Sequence, residues 1–303
     1  MTEPKEISAS KKRKLKGFLF KQYIAGSNRS RSGNVAMALF IIVIAIFSAI
    51  PLVMAIGMSL KPLNELFYYP PRLLPERPTL ENFSSLFSLL QTTWVPFSRY
   101  VFNTLFITIV STGGHVLLAS MAAYPLAKLN FPGRKTMNTA VMYSLMFVAA
   151  VADIANYLTI SALGWIDTYA AVIVPFMSAP LGLFILRNYM TTVPTSLLEA
   201  AKIDGCNDIV IYWKIVMPLV KPAWLTVIIL MFQQVWGVAN TTYIYSEELK
   251  TLPYALSQIT SGGVVRAGAG QAASVLMLLV PAIVFIFNQS RILGTMATSG
   301  MKE

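Results

Sequence analysis

The chain has 303 residues, of which 55% are hydrophobic and 12% charged, about half the charged share of an average soluble domain. Its single cysteine and single histidine exclude an intrachain disulfide and a conventional zinc site. The net charge is +11, but the basic residues sit in short segments between long apolar runs, which argues against a nucleic-acid-binding face and for an integral membrane protein.

The first segment, residues 1–34, is polar and strongly basic and is predicted to be a cytoplasmic tail. It lacks a short apolar core followed by a small-residue cleavage site, so we expect no cleavable signal peptide. The stretch Lys11–Lys21 interleaves basic and apolar residues. Two interpretations stay open for it: a segment that lies on anionic headgroups, or a disordered tail that only fixes the topology.

Residues 35–303 contain six apolar runs long enough to cross roughly 30 Å of hydrocarbon as helices of about 20 residues. They predict an all-α integral membrane domain with six transmembrane helices. The third and fourth runs carry polar residues or prolines, and we expect them to pack centrally, because lipid offers no partner for freed backbone groups. The predicted spans are Val35–Leu60, Tyr100–Ala127, Met137–Ile160, Thr168–Tyr189, Pro222–Tyr243 and Gln271–Arg291.

The basic residues predict the orientation of these spans. An even number of spans places both termini on one side of the membrane. If that side is the cytoplasm, 18 lysines and arginines lie inside and six lie outside. The asymmetry follows the positive-inside rule, so both termini are expected to be cytoplasmic.

Polar side chains in the third and fifth spans are candidates for lining a path through the membrane. Ionisable groups are costly in hydrocarbon, so Asp153 either accepts hydrogen bonds from a hydroxylated solute or lies at the water interface and pairs locally. Ordinary helix packing is the alternative for the others. His115 is predicted to be a packed polar residue, and Asp167 the N-cap of the fourth span. The path candidates are Asp153, Asn156, Tyr157, Gln233, Trp236 and Asn240.

The loop 191–221 has the clearest local signals in the chain. Ser196 stands three residues before Glu199, which predicts a capping box at the start of a short helix. Gly205 is well placed just past that helix, and Asn207 as the cap of a second helix that two prolines would end. Residues three and four apart share a helix face. Those grouped in this way on the first helix are Leu197, Ala200, Ala201 and Asp204.

The same loop resembles the EAA motif of the permease subunits of ABC importers. The pattern E-A-A stands at Glu199–Ala201 and its glycine at Gly205. The run Ile215–Pro218 follows at the expected distance, with Met217 in place of the usual leucine. The motif falls between the fourth and fifth predicted spans, where that family has it.

Most of the chain after residue 100 is similar to carbohydrate permeases of the maltose-permease (MalG) type. The run Ala152–Tyr157 departs from that group, which usually has a proline and apolar residues there, and this leaves the identity of the sugar open. The stretches that carry the similarity are Ala122–Gly133, Leu163–Thr168, Phe184–Arg187, Pro194–Gly205 and Gly294–Lys302.

The resemblance implies a type I ABC importer transmembrane domain in a bacterial or archaeal cell membrane. Two permease subunits, the second expected to be a different chain, would form the path, and an extracytoplasmic solute-binding protein would deliver the sugar. ATPase subunits would bind ATP and Mg²⁺, because this chain has no GxxxxGK[ST] loop, and no cofactor, metal or enzyme activity is expected of it. The residues implied to dock on the ATPase are Glu199, Ala200, Ala201, Asp204, Gly205 and Pro218.

An ion-driven secondary transporter is the main alternative. Such a protein would show inverted repeats and charges on discontinuous helices within the membrane. The sequence offers Asp153 and no evident repeat. A membrane enzyme would need a catalytic constellation, which the sequence does not show.

Overall fold

A computed structural model describes residues 31–70, 72–91, 94–147, 149–239 and 242–299. Regular structure in these ranges is entirely helical, which confirms the all-α prediction. The predicted basic tail, residues 1–34, lies outside them apart from its last four residues. The helices are α1 Arg31–Ser59, α2 Leu63–Leu66, α3 Glu81–Gln91, α4 Phe97–Lys128, α5 Arg134–Ser144, α6 Ala149–Ala162, α7 Tyr169–Met177, α8 Pro180–Thr191, α9 Thr195–Ile203, α10 Asp208–Leu219, α11 Lys221–Trp236, α12 Leu252–Thr260 and α13 Ala267–Ser299.

The structure consists of two units that divide between Met54 and Ala55, within α1. The described part of the first unit is a continuous helix that runs through Pro51. Its large apolar side chains are exposed, among them Phe40 and Phe47. A long helix with apolar residues all around its circumference is typical of a membrane span. The remaining description concerns the second unit.

Four helical segments in the described residues are long and apolar enough to cross a membrane. They are Val35–Ser59, Phe97–Lys128, Tyr169–Thr191 and Val264–Phe287. The pair Asp208–Leu219 and Lys221–Trp236, bent by 77°, makes a fifth if it forms one span. These segments cover the first, second, fourth, fifth and sixth predicted spans.

The third predicted span is interrupted in the structure. It divides between α5 and α6, which have 11 and 14 residues, so neither is long enough to cross a bilayer alone. The chain turns between them at Leu145–Phe147. No residue of α5 is buried, so the prediction of central packing is wrong for this part of the third span. The prediction of central packing holds for α7 and α8, each of which buries three residues.

Two apolar cores organise the second unit. The larger core joins α4 to α7, α8, α10 and α11, and also takes residues from the short helix α9. The smaller core joins α3 and the start of α4 to α12 and α13. Because α4 contributes to both cores, it is the central helix of this unit.

Polar residues on the first turns of α4 hold the chain between α11 and α12. The Tyr100 hydroxyl donates to Glu247 Oε1 over 2.9 Å. The Asn103 amide donates to the carbonyls of Glu248 and Lys250, each over 2.8 Å. The Thr104 hydroxyl accepts the backbone N–H of Leu252 over 2.7 Å. The bonds from Asn103 and Thr104 pair backbone groups of this connection that would otherwise have no partner.

Asp167 fastens two loops at the same end of the helices. Its backbone has φ of 60°, and its N–H donates to the carbonyl of Tyr243 over 2.9 Å. Its carboxylate accepts the backbone N–H groups of Tyr245 and Ser246, over 3.0 and 2.8 Å, and the hydroxyl of Ser246. The N-cap of α7 is Thr168, so the prediction that Asp167 caps this helix is wrong: its carboxylate is occupied by the neighbouring loop.

The pKa of Asp167 lies below its ordinary value of 3.8, first because the Ser246 hydroxyl donates to the carboxylate and next because the backbone N–H of Ser246 does so. A lowered pKa means that the folded state favours the ionised form. These bonds of Asp167 to Tyr245 and Ser246, which we call the Asp167 clip, therefore contribute their full stability above the ordinary carboxyl pKa. That contribution is lost as the pH falls through the lowered pKa.

A close seam joins α4 to α7 and α8. His115 is wholly buried there, and its Nδ1 lies 3.1 Å from the carbonyl of Met177, which confirms its prediction as a packed polar residue. Gly114 and Gly182 bring the backbones together. A Cβ at Gly114 would lie 2.2 Å from Met177 Cε, and one at Gly182 would lie 1.9 Å from His115 Nε2. Only glycine fits at these two positions with the neighbours as they stand.

Candidate coupling site

The first loop helix, α9, begins two residues earlier than its sequence suggests. Its N-cap is Pro194, with ψ of 132°, and no side chain bonds to its first turn. Ser196 therefore stands inside the helix, and Glu199 is too far along to reach back to the cap. The predicted capping box is wrong, because Pro194 supplies the extended conformation that a Ser196 cap would have required.

The other end of α9 confirms the predicted glycine. Gly205 has φ of 80°, in the left-handed region that glycine adopts without a steric penalty. The N–H of Gly205 bonds to the carbonyl of Lys202 over 3.0 Å, and that of Cys206 to the carbonyl of Ala201 over 2.9 Å. This pair of bonds is a Schellman motif, which satisfies the last carbonyls of the helix and reverses the chain.

The second loop helix, α10, starts immediately after this turn. The Asn207 side chain accepts the N–H of Val210 over 2.8 Å, which confirms the predicted cap. Lys202 forms an ion pair with Asp208 across the turn, at 3.1 Å between Nζ and Oδ1. The two helices are thus joined by a turn with defined hydrogen bonds at both helix ends.

Helix α10 continues further than predicted. Its middle turn, Tyr212–Val216, is a π-helix in which the N–H of Met217 bonds to the carbonyl of Tyr212, five residues back. Pro218 has no N–H and its ring crowds the preceding turn, which accounts for the widening. Pro218 does not end the helix, which runs to Leu219 before the sharp bend into α11.

One side of α9 is anchored in the larger core. Leu198 and Ala201 are buried there, with 7% and 6% of their surfaces exposed, in the same core as Ala123 and Ala127 of α4. The prediction had placed Ala201 on the partner-facing side with Ala200. The structure instead turns Ala201 inward, where its small side chain lets α9 lie close to the rest of the chain.

Polar contacts add to this anchorage. The hydroxyl of Tyr212 in α10 lies 2.6 Å from that of Ser120 in α4, and both residues are buried. The Tyr124 hydroxyl is 3.5 Å from Asp208 Oδ1, a weak contact beside the Lys202 ion pair. Lys128 donates to the carbonyls of Thr191 and Val193, which end α8 and lead into α9. The loop is therefore held firmly to α4.

The opposite side of α9 is exposed and combines acidic, small and apolar residues. Glu199, Ala200, Asp204 and Gly205 are all exposed. Sequence reasoning named these four and also grouped Leu197, which is 45% exposed, with Ala200 and Asp204. It missed two large apolar neighbours, whose exposed fractions are 87% for Ile203 and 69% for Ile209. Apolar side chains grouped at the end of a loop are typical of a surface that binds a partner. Helix periodicity shows which residues of α9 share a side, but it does not show which side packs on the larger core and which is exposed.

The path candidates do not form one group. On α6, Asp153 and Asn156 are exposed, and the ring of Tyr157 stacks on that of Tyr243 with centroids 6.3 Å apart. The Tyr157 hydroxyl also lies 3.4 Å from that of Tyr245. The carboxylate of Asp153 acts electrostatically on Tyr243. A charged and aromatic cluster therefore lies beside the loop that Asp167 holds.

The fifth-span candidates differ from one another. Gln233 is exposed. Trp236 is only 5% exposed, stacks on Phe232 and donates from Nε1 to the carbonyl of Met277 over 3.1 Å. These contacts assign Trp236 to the packing between α11 and α13, so its interpretation as a path residue is not supported. Asn240 lies outside the described residues.

Comparison with known families gives one match that spans nearly the whole chain. Residues 23–294 match the model of the family described as "Binding-protein-dependent transport system inner membrane component".

Curated relatives and a solved structure agree with this match. The chain is 29% identical over 270 residues to the inner membrane ABC transporter permease protein YcjP of Escherichia coli (strain K12), covering 88% of this chain and 94% of that protein. It is 30% identical over 267 residues to the arabinooligosaccharides transport system permease protein AraQ of Halalkalibacterium halodurans, covering 87% and 93%. The structure resembles a chain of a bacterial ABC transporter involved in alginate import, with a TM-score of 0.72 at 22% identity, over 87% of this chain and 99% of that chain.

Proposed function

Because the chain belongs to the family of inner membrane components of binding-protein-dependent transport systems, we propose that it carries a carbohydrate across the membrane and couples this movement to an ATPase through α9. As a permease subunit it is not itself an enzyme. One observation carries the coupling proposal: α9 is anchored on one side and exposes acidic and apolar residues on the other. A short helix fixed in this way can transmit a push from a partner.

The carbohydrate assignment draws on the relatives. One is named for arabinooligosaccharide transport, and the transporter with the similar fold is described as importing alginate, an acidic polysaccharide. An ion-driven secondary transporter has no support from this family. The partners proposed are a second permease subunit, a solute-binding protein outside the membrane and ATPase subunits that bind the ATP and Mg²⁺.

The orientation is part of the proposal. The chain is a multi-pass inner membrane protein, and the excess of basic residues on one side supports cytoplasmic termini. The domain arrangement proposed is a basic tail over residues 1–34 and a permease domain over 35–303, with its coupling loop at 191–221. That loop then faces the cytoplasm, where ATP is available.

The ATPase contact is tested by co-purification from membranes in mild detergent. We expect the variant Glu199→Lys/Asp204→Lys to recover roughly tenfold less ATPase than the wild type, since reversing two exposed charges at an interface removes the pairing that the carboxylates would make with the partner. The matched control is Glu81→Lys/Glu248→Lys, which reverses two exposed carboxylates away from this loop. Equal recovery with the test and control variants would contradict docking through α9. If no ATPase accompanied even the wild type, uptake driven by ion gradients would be tested instead.

The solute path is proposed to include Asp153, Asn156, Tyr157 and Gln233. We expect Asp153→Ala to lower sugar uptake about tenfold at low sugar concentration, because a hydrogen bond to a charged group contributes about 1.5–3 kcal/mol. The ATPase should still co-purify with this variant. The control is Ile154→Ala, a neighbouring residue that is 74% exposed. Unchanged uptake in Asp153→Ala would return this residue to a purely local role.

A further inference from the structure

A positively charged cavity lies beside the coupling loop and is not part of it. Its volume is about 530 Å³. It is formed by the turn after α4 and the first turns of α5, with one side chain from the last turns of α8. Its polar lining residues are Asn130, Arg134, Lys135, Thr136, Asn138 and Arg187.

The charge of this cavity is uncompensated. Three of its lining residues are cationic and none is acidic. Among the described residues the ion pairs are Arg72 with Glu76, Lys202 with Asp208 and Lys250 with Glu247, so none of the three cavity cations takes part in one. The first turn of α5, which also borders the cavity, adds the partial positive charge of a helix N-terminus. An anion is the ligand that such a cavity favours.

The hydrogen-bond donors divide into fixed and available groups. Arg134 is fixed, because its Nε and Nη2 donate to the carbonyls of Leu126 and Ala127, over 3.0 and 2.7 Å, and its Nη1 donates to Asn130. Arg187 lines the cavity and donates from Nη1 to Asn188 alone among the side chains of the described residues. The Lys135 side chain is exposed at the cavity. A ligand with several acceptor oxygens would satisfy Arg187 and Lys135 together.

We propose that this cavity binds the phosphate of an anionic phospholipid. The cavity lies where α4 ends at Lys128 and α8 ends at Thr191, the end of two membrane-length segments and hence the depth of lipid headgroups. Exposed apolar side chains lie on different sides of α5 beyond the cavity, at Met137, Met142 and Tyr143. An acyl chain would find an apolar contact at any of them, which a free phosphate ion would not use. Basic pockets between transmembrane helices are a recognised way of holding such headgroups.

The leaflet follows from the orientation proposed above, but the binding itself does not depend on the transport function. The cavity adjoins the end of α8 that leads into α9 and therefore belongs to the cytoplasmic leaflet if α9 is cytoplasmic. A lipid that bridges α5 and α8 would fasten the exposed helix α5 to the core of the unit.

The test counts lipids retained by the purified full-length chain in native mass spectrometry, after incubation with phosphatidylglycerol or phosphatidylcholine. We expect the wild type to retain about one phosphatidylglycerol in preference to phosphatidylcholine. Lys135→Gln/Arg187→Gln should retain roughly tenfold less, and the charge-conserving Lys135→Arg/Arg187→Lys should retain most of it. The matched control, Lys214→Gln/Lys221→Gln, removes the same charge at two exposed sites and should bind as the wild type does.

Retention by the double glutamine variant equal to that of the control would overturn the proposal. Displacement of the lipid by millimolar inorganic phosphate would overturn it in favour of a free-anion site. If the Arg187 substitution prevents folding, judged by elution in size-exclusion chromatography, the proposal is tested with the single variant Lys135→Glu at the exposed edge of the cavity. For the proposal to stand, this variant must retain less phosphatidylglycerol than the control variant.

Discussion

Replacing Gly205 with valine is expected to abolish sugar uptake while leaving the chain folded in the membrane. Gly205 has φ of 80°, and a β-branched residue held in that region costs on the order of 1–3 kcal/mol. The Schellman bonds at Gly205 and Cys206 would break, and the turn between α9 and α10 would rearrange. The larger core keeps α4, α8 and α11 together without this turn. The loss should therefore fall on coupling to the ATPase.

A series of substitutions at Gly205 with increasing cost in the left-handed region tests whether backbone strain, and not simply the absence of glycine, causes the loss of uptake. Asparagine tolerates the left-handed region, so Gly205→Asn should retain most of the uptake, with alanine intermediate and valine lowest. The matched control is Gly164→Val, since Gly164 has φ of 66° and likewise has open space around it, at the other end of the helices. Uptake is measured in vesicles alongside ATPase co-purification. Normal uptake in Gly205→Val would show that the shape of this turn does not matter for coupling.

Gly182→Val is expected to destabilise the helix core. An added Cβ would lie 1.9 Å from His115 Nε2 and 2.9 Å from Val227 Cγ1. The His115 ring is wholly buried and bonded to Met177, so it has no room to move aside. Overpacking of this kind costs typically about 1–3 kcal/mol, which should lower the melting temperature in detergent by roughly 5 °C and reduce the yield of folded protein.

Two further variants make this prediction specific. Gly113→Val lies on α4 with nothing within 4 Å of the added Cβ, so it should melt as the wild type does. Removing the obstructing ring in His115→Ala/Gly182→Ala should restore stability relative to Gly182→Ala alone. A failure of this rescue would show that the seam between α4 and α8 is not limited by contact between these two side chains.

The features that the sequence predicts well are those governed by neighbouring residues. Long apolar runs bounded by charges predict α1 and α4 to within a few residues, because hydrocarbon thickness sets their length. The turn between α9 and α10 is equally local: Gly205 and Asn207 adopt the conformations that their residue types favour. The start of α9 shows the limit of such signals, since Pro194 and Ser196 both suit a cap and only the structure shows which residue takes that place.

Other features depend on contacts that no local pattern contains. The third predicted span has neither glycine nor proline over residues 137–160, yet its helix is interrupted near Phe147. Ala200 and Ala201 are adjacent and chemically identical, and only the position of α4 makes one outward and the other inward. Trp236 could equally have faced a solute. Its hydrogen bond to Met277 exists because α13 lies beside α11, 41 residues away in sequence.

The Asp167 clip has a mechanical consequence for how a push on α9 would spread. At one end, α9 and α10 join α8 to α11 through the chain itself. At the other end, the Asp167 carboxylate ties the residue pair preceding α7 to the segment that follows α11, through Tyr245 and Ser246. The helices between these two fastenings, α7, α8 and α11, are therefore linked at both of their ends. We expect a displacement of α9 to reach the residues around Asp153 through these helices, because neither end can move without the other helix being pulled with it.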